Sequence, residues 1–399
     1  MYSKPFTCML LLLAIQWGHA QTPLAPTAVK FSTLIFPEQE KHVHGSSIVS
    51  LPNGDLLACW FQGSGERTAD DVRVMGSRLK KGEKNWSAPF LMADTPGIPD
   101  CNPVLFLNAK GKLFLMWIAV LANKWEMSVL RYRTSVNYMN NGAPAWNWQD
   151  DILFKPKDTF AVETAQKFKE LPEVNEAWAA FAEKYDKMII DASKDLSKRS
   201  LGWMTRIKPL LMEKGRILLP LYSDGYNFSL IGISDDDGET WRPSLPIIAR
   251  GGIQPALALK KNGDLIAYMR DNGGVPTRVT ISESRDKGES WTAAVKGEIP
   301  NPGSSVELQV LKDGRWAFIG NDVGEGRHRL CLYLSVDEGK SWKYKTWLED
   351  QPPKAANFSY PAMIQTEDGI LHITYSHRYE SKGASIKYVS VDPDTFKNP

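Results

Sequence analysis

The chain has 399 residues, with 48 Lys and Arg against 46 Asp and Glu, so its formal charge of +2 sets up no long-range field for nucleic acid or an anionic membrane surface. At 43 % hydrophobic and 11 % aromatic residues it is a folding, turn-rich chain and not a disordered one. Four Cys are too sparse for a disulfide framework and six His show no metal-ligand spacing, so no metal and no cofactor are expected.

The first element is a leader. Lys4 precedes the apolar run from Cys8 to Ile15, and Gly18 and Ala20 fit a signal-peptidase site. Residues 1–20 therefore read as a cleavable signal peptide and residues 21–399 as one mature domain, secreted or periplasmic. No other stretch approaches the ~20 apolar residues of a membrane span, so no membrane insertion is expected.

Next come six hairpin signals, each an x-Gly step followed by an apolar strand, at Asn53-Gly54, Lys110-Gly111, Lys214-Gly215, Asn262-Gly263, Asp313-Gly314 and Asp368-Gly369. Between the second and third the spacing doubles. From Lys157 to Lys198 turn signals give way to Ala, Glu and Lys, with Pro172 placed to open a helix and Val174, Trp178, Phe181, Tyr185 and Met188 forming one stripe. This interval reads as a helical insertion over about residues 157–200, either a packed surface helix or a lid.

A second repeat overlays the first: Ser234 to Trp241, Ser284 to Trp291 and Ser335 to Trp342 share Ser-x-Asp-x-Gly-x-Ser/Thr-Trp about fifty residues apart. Asp and Gly suit a tight turn, the hydroxyls bond its backbone, and Trp clamps it to a neighbouring sheet. A degraded copy runs from Ser77 to Trp86, with room for two further blades before Ser234. Six turns argue an all-β, six-bladed β-propeller.

The repeat resembles the Asp-box of the sialidase (neuraminidase) family, over essentially the whole mature domain. That resemblance implies a carboxylate grip by three Arg, a Tyr nucleophile activated by a Glu, and an Asp acid on a loop. Ten residues before Gly54, where the family has its first Arg, stands His44, whose charge depends on pH. Seven after Gly263 is Arg270, matching the second Arg. Nine before Gly263, at the position of the Glu, is Gln254, which can bond a phenol but cannot take its proton. The third Arg corresponds to Arg327, with Arg329 as the other choice, and the nucleophile to Tyr360 in Asn357-Phe-Ser-Tyr-Pro.

The acid loop corresponds to residues 62–72, where Glu66 and Asp71 both stand as proton donors. Arg67, Arg206 and Lys208 add positive charge, and Asn102, Tyr222 and Asp224 lie on segments facing the same blade ends. The resemblance implies an exported exo-acting glycoside hydrolase whose partner is a glycan ending in an acidic sugar, sialic or uronic. Two other readings remain open at this point: a lyase on uronate glycans with His44 or Tyr360 as base, and a non-catalytic carbohydrate-binding propeller.

Overall fold

A computed structural model describes residues 28–396 apart from 175, 381 and 382. The leader proposed for residues 1–20 lies outside the described residues. The rest forms six four-stranded antiparallel sheets around an axis, as the repeats predict. Blade 1 runs His42–Ser50, Leu56–Gly63, Arg73–Leu79 and Phe90–Ala93 from the axis outward; blade 2 begins with Asp100–Leu107, Leu113–Val120 and Ser128–Ser135. Blade 3 carries Ile217–Ser223 and Phe228–Ser234, blade 4 Gly252–Leu259 and Leu265–Asp271, and blade 5 Glu307–Val310 and Trp316–Gly320. Blade 6 takes Ala356–Gln365, Leu371–Tyr379 and Gly383–Val391 from the end of the chain, and Val29–Leu34 from its beginning pairs as the outermost strand.

The two sequence repeats sit on one face of the ring, because a strand order of in, out and in again puts the first and third connections of every blade at the same end. Each Asp-box is a pair of left-handed residues, such as Asp237 (φ 62°) and Gly238 (φ 95°). The Ser234 hydroxyl accepts from Gly238 N at 2.8 Å, and Asp236 Oδ1 accepts from Thr240 N at 2.9 Å. The turn then docks on the preceding blade. A Cβ added to Gly238 would stand 2.8 Å from Phe114 Cζ, and one added to Gly339 would stand 2.8 Å from Tyr268 Oη. The degraded copy keeps this role, since Trp86 packs edge-on against Tyr388 of blade 6 at 5.3 Å.

Between the degraded copy and Ser234 the ring holds one blade, not two, and the remaining length is the helical insertion. It comprises α1 (Thr159–Glu170), α2 (Glu176–Lys194) and α3 (Leu196–Ser200). Pro172 opens no helix directly but sits in the loop between α1 and α2. The buried stripe of α2 also differs from the expected one. Ala182 and Ile189 are buried beside Tyr185, whereas Phe181 and Met188 are 65 % and 58 % exposed. The true stripe keeps the 3.6-residue period through positions 178, 182, 185 and 189, and the expected one drifted off it. The insertion packs on blades 3 and 4: Phe160, Phe168, Ile189, Trp203, Tyr226 and Phe228 share one apolar cluster, and Arg250 clasps Asp186 at 2.7 Å.

No described helix is long and apolar enough to cross a membrane. Cys59, Cys101 and Cys331 are buried and unpaired.

Candidate functional site

The face opposite the Asp-boxes gathers the starts of the innermost strands and the loops joining second to third strands. Four of those innermost strands carry the same defect. Each sets two residues against one on its neighbour, a β-bulge, at residues 45–46, 102–103, 254–255 and 360–361. In each the first bulged residue is left-handed: Gly45 (φ 64°), Asn102 (φ 51°), Gln254 (φ 58°) and Tyr360 (φ 56°). For the three that are not glycine this costs roughly 1–3 kcal/mol apiece, a strain that concentrates where side chains must be re-aimed. Here it turns Asn102, Gln254 and Tyr360 toward the axis. Fully buried Trp60, Trp117 and Tyr375 occupy the strands behind three of the bulges.

The result is a cavity of about 250 Å³ whose walls come from all six blades: His44 and Glu66, Asn102 and Trp125, Tyr222 and Asp224, Arg270 and Asn272, Arg327, and Tyr360. Tyr360 is its centre. The phenol oxygen accepts from Arg270 Nη1 at 2.9 Å and from the Gln254 amide at 3.3 Å. The His44 ring lies 4.0 Å from the Tyr360 ring, and the Arg206 and Arg327 guanidinium carbons lie 4.9 and 5.6 Å from its centroid. Arg270 also reaches Asn272 Oδ1 at 3.2 Å, and Arg327 donates to Gly303 O at 2.8 Å.

The titratable groups separate into distinct roles. Burial pushes the Glu66 carboxyl above its usual range, opposed by Arg67 and reinforced by Asp224. Asp224 sits at the lip with solvent on one side, yet the protein crowding its other sides also raises it, against Arg270 and Arg67. Burial raises the Tyr222 phenol, with Asp224 adding to the effect, and that phenol accepts from Asn102 Nδ2 at 3.0 Å.

His44 goes the other way. Loss of solvent, then the nearby Arg327, His42, Arg206 and Arg270, hold it well below its ordinary value. It is therefore neutral at physiological pH, and it stands on the cavity wall, where the sequence reading expected a substrate-binding residue.

Four expected residues, unlike His44, fall away from the wall. Asp71 is exposed and caps its own loop, accepting from Ser64 N at 2.8 Å and Ser64 Oγ at 2.7 Å, bonds that lower its carboxyl. Arg67 stands 5.4 Å over Trp125 behind the wall, supplying field and no contact. Arg206 is 2 % exposed and clasps Ser46 O and Pro361 O, each at 3.0 Å, so it pins blades 1, 3 and 6 together beneath the cavity. Lys208 pairs with Glu307 at 2.9 Å deeper in the channel. Of the two Arg choices Arg327 is the wall residue, because Arg329 pairs with Asp350 on the outer strands at 2.8 Å.

Asn102 and Asp224 gain roles that the sequence did not give them. The shared signal for Asn102 is the residue-Pro step it has in common with Gln254-Pro255 and Tyr360-Pro361. For Asp224 no local signal exists. Among the described residues no group of His, Cys, Asp or Glu has the geometry of a metal site.

The family model described as a BNR repeat-like domain matches residues 54–164 and 193–373. No curated protein sequence matches the chain. Among solved structures, a Dyadobacter fermentans protein of unknown function superposes with a TM-score of 0.65 at 15 % identity, covering 91 % of this chain and 98 % of that one. The NanB sialidase from Streptococcus pneumoniae superposes at 0.64 and 13 % identity, covering 92 % and 71 %. A Penicillium chrysogenum α-L-arabinanase complexed with arabinobiose gives 0.56 at 15 % identity, covering 90 % and 97 %. At these identities the likeness is one of fold.

Proposed function

The chain belongs to the BNR repeat-like domain family, and from that premise we propose that it is an exported, exo-acting glycoside hydrolase that removes a terminal acidic sugar from a glycan. The observation that carries this reading is Tyr360, held by Arg270 and Gln254 in a small polar cavity that also contains Arg327 and the raised carboxyl of Glu66. The sialidase and arabinanase likenesses and the leader-like residues 1–20 support it.

In this mechanism Arg270 and Arg327 pair with the sugar carboxylate, which favours anions of the sialic or uronic class. The Tyr360 oxygen bonds to the anomeric carbon as the bond to the leaving oxygen breaks. Glu66, whose acid form burial favours, gives that oxygen a proton, while the phenol proton passes by way of solvent at the lip to the exposed Asp224. Water then releases the sugar from Tyr360, with Glu66 taking the water's proton and Asp224 returning the phenol's. Glu66 rather than Asp71 is the donor, since an exposed carboxyl with a lowered pKa is ionised and holds no proton to give.

Neutral His44 against Tyr360 favours a second reading, in which His44 abstracts the proton beside a uronate carboxylate and Tyr360 protonates the leaving oxygen. Incubation with glycans capped by sialic or uronic acid decides between them. Free acidic sugar, lost in Tyr360→Phe, supports the hydrolase. An ultraviolet-absorbing unsaturated product supports the lyase, and binding without any product leaves a carbohydrate-binding propeller. Unchanged turnover in Tyr360→Phe rejects both chemical readings.

A further inference from the structure

A second cavity, of about 600 Å³, opens between the loop before α2, α2 itself and blade 4. Trp178 and Tyr185 of α2 form one wall, edge to face with centroids 5.2 Å apart, and the exposed Val275 forms another. Asn227 and Asn272 form the floor. Asn272 lines both cavities, and a continuous set of hydrogen bonds joins them. Arg270 donates to Asn272 Oδ1 at 3.2 Å, Asn272 donates to Asn227 Oδ1 at 2.8 Å, and Asn227 donates to the Tyr185 oxygen at 3.3 Å.

The chemistry of this groove is that of an uncharged sugar ring. Aromatic faces suit the C–H face of a pyranose, and side-chain amides suit its hydroxyls. Its two cations are already neutralised, Arg250 by Asp186 at 2.7 Å and Lys296 by Asp271 at 2.9 Å, so it offers nothing to a second anion. Most of α2 also lies between the two family-matched segments, in residues 165–192, so this wall is an addition to the shared propeller.

We infer that this groove is a second subsite, in which Trp178 and Tyr185 hold the neutral sugar that carries the acidic residue, making the helical insertion the determinant of leaving-group preference. The inference rests on the acidic-sugar reading of the first cavity, and the test separates the two. In full-length protein carrying Tyr360→Phe to prevent turnover, calorimetry compares free sialic acid with 3′-sialyllactose, and glucuronic acid with glucuronic acid linked to lactose.

Adding Trp178→Ala is expected to weaken the lactose-linked ligand by about tenfold and leave the free acidic sugar unchanged, the scale of one lost stacking contact. Gly274→Ala provides a gentler second variant, because its new methyl would stand 3.0 Å from Trp178 Cδ1 and displace the indole; it should weaken the same ligand and no other. Equal binding of the lactose-linked ligand before and after both substitutions overturns the subsite while the first cavity stands. Equal weakening of free and linked sugar also overturns it, as a general distortion. If the parent protein binds none of the four ligands, the acidic-sugar reading fails and the subsite with it.

Discussion

Replacing Arg270 by Ala tests the central claim about the site, because that side chain makes the shorter of the two hydrogen bonds to the Tyr360 oxygen, at 2.9 Å. A hydrogen bond to a charged donor contributes roughly 1.5–3 kcal/mol. At about 1.4 kcal/mol per factor of ten, losing it from the transition state lowers kcat/KM by about 10- to 150-fold. Loss of one of two guanidinium groups facing the substrate carboxylate adds to that, so a fall of at least about 100-fold is expected for Ala. Lys keeps the charge but not the fork that spans Tyr360 and Asn272, and should recover only part. Initial rates of acidic-sugar release, with circular dichroism to verify folding, provide the assay. A folded Arg270→Ala protein within threefold of the parent refutes the placement of substrate at Tyr360.

Glu66→Gln should lose about 10²- to 10⁴-fold in turnover, as expected for a general acid, and Asp71→Asn should change rates little. Because burial raises Glu66, the acid form persists below its folded pKa, and the parent's rate should fall as pH rises through that value; a parent profile without this limb removes Glu66 from the role. Ser335→Ala deletes the acceptor for Gly339 N at 2.9 Å and should destabilise the fold by about 1–3 kcal/mol in urea unfolding, without a change in KM. Half-buried His372 is depressed to about 4 by loss of solvent, so its neutral form adds stability that is complete above its unfolded value near 6.5 and lost as pH falls toward 4. His372→Gln should flatten that part of a denaturation-against-pH curve, and an unchanged slope would remove His372 as its cause.

The ring was readable because its signals are local. A Ser, an Asp and a Gly within five residues build one turn from their own hydrogen bonds, as at Ser234, Asp236 and Gly238, and need nothing distant to be recognised. The site is the opposite kind of object. Tyr360, Arg270 and Arg327 were found through a likeness in register, but what separates Glu66 from Asp71 is burial, and no spacing encodes burial. Arg206 and Arg67 look like equal partners of Arg270 in the sequence; only the packing shows one clasping backbone carbonyls and the other lying on an indole. The helical stripe failed for a smaller reason, an error of one position repeated twice, which was enough to put Phe181 and Met188 in solvent.

Val29–Leu34 zips onto Gly383–Val391, so the earliest and latest described strands are neighbours in one sheet. The ring is thus shut by strands more than three hundred residues apart in sequence. Since every blade lends a side chain to the cavity, its wall is incomplete until this sheet closes, and removal of Val29–Leu34 should unclasp the sheet that bears Tyr360. The cavity in this molecule is a property of circumference, complete only when these two strands meet.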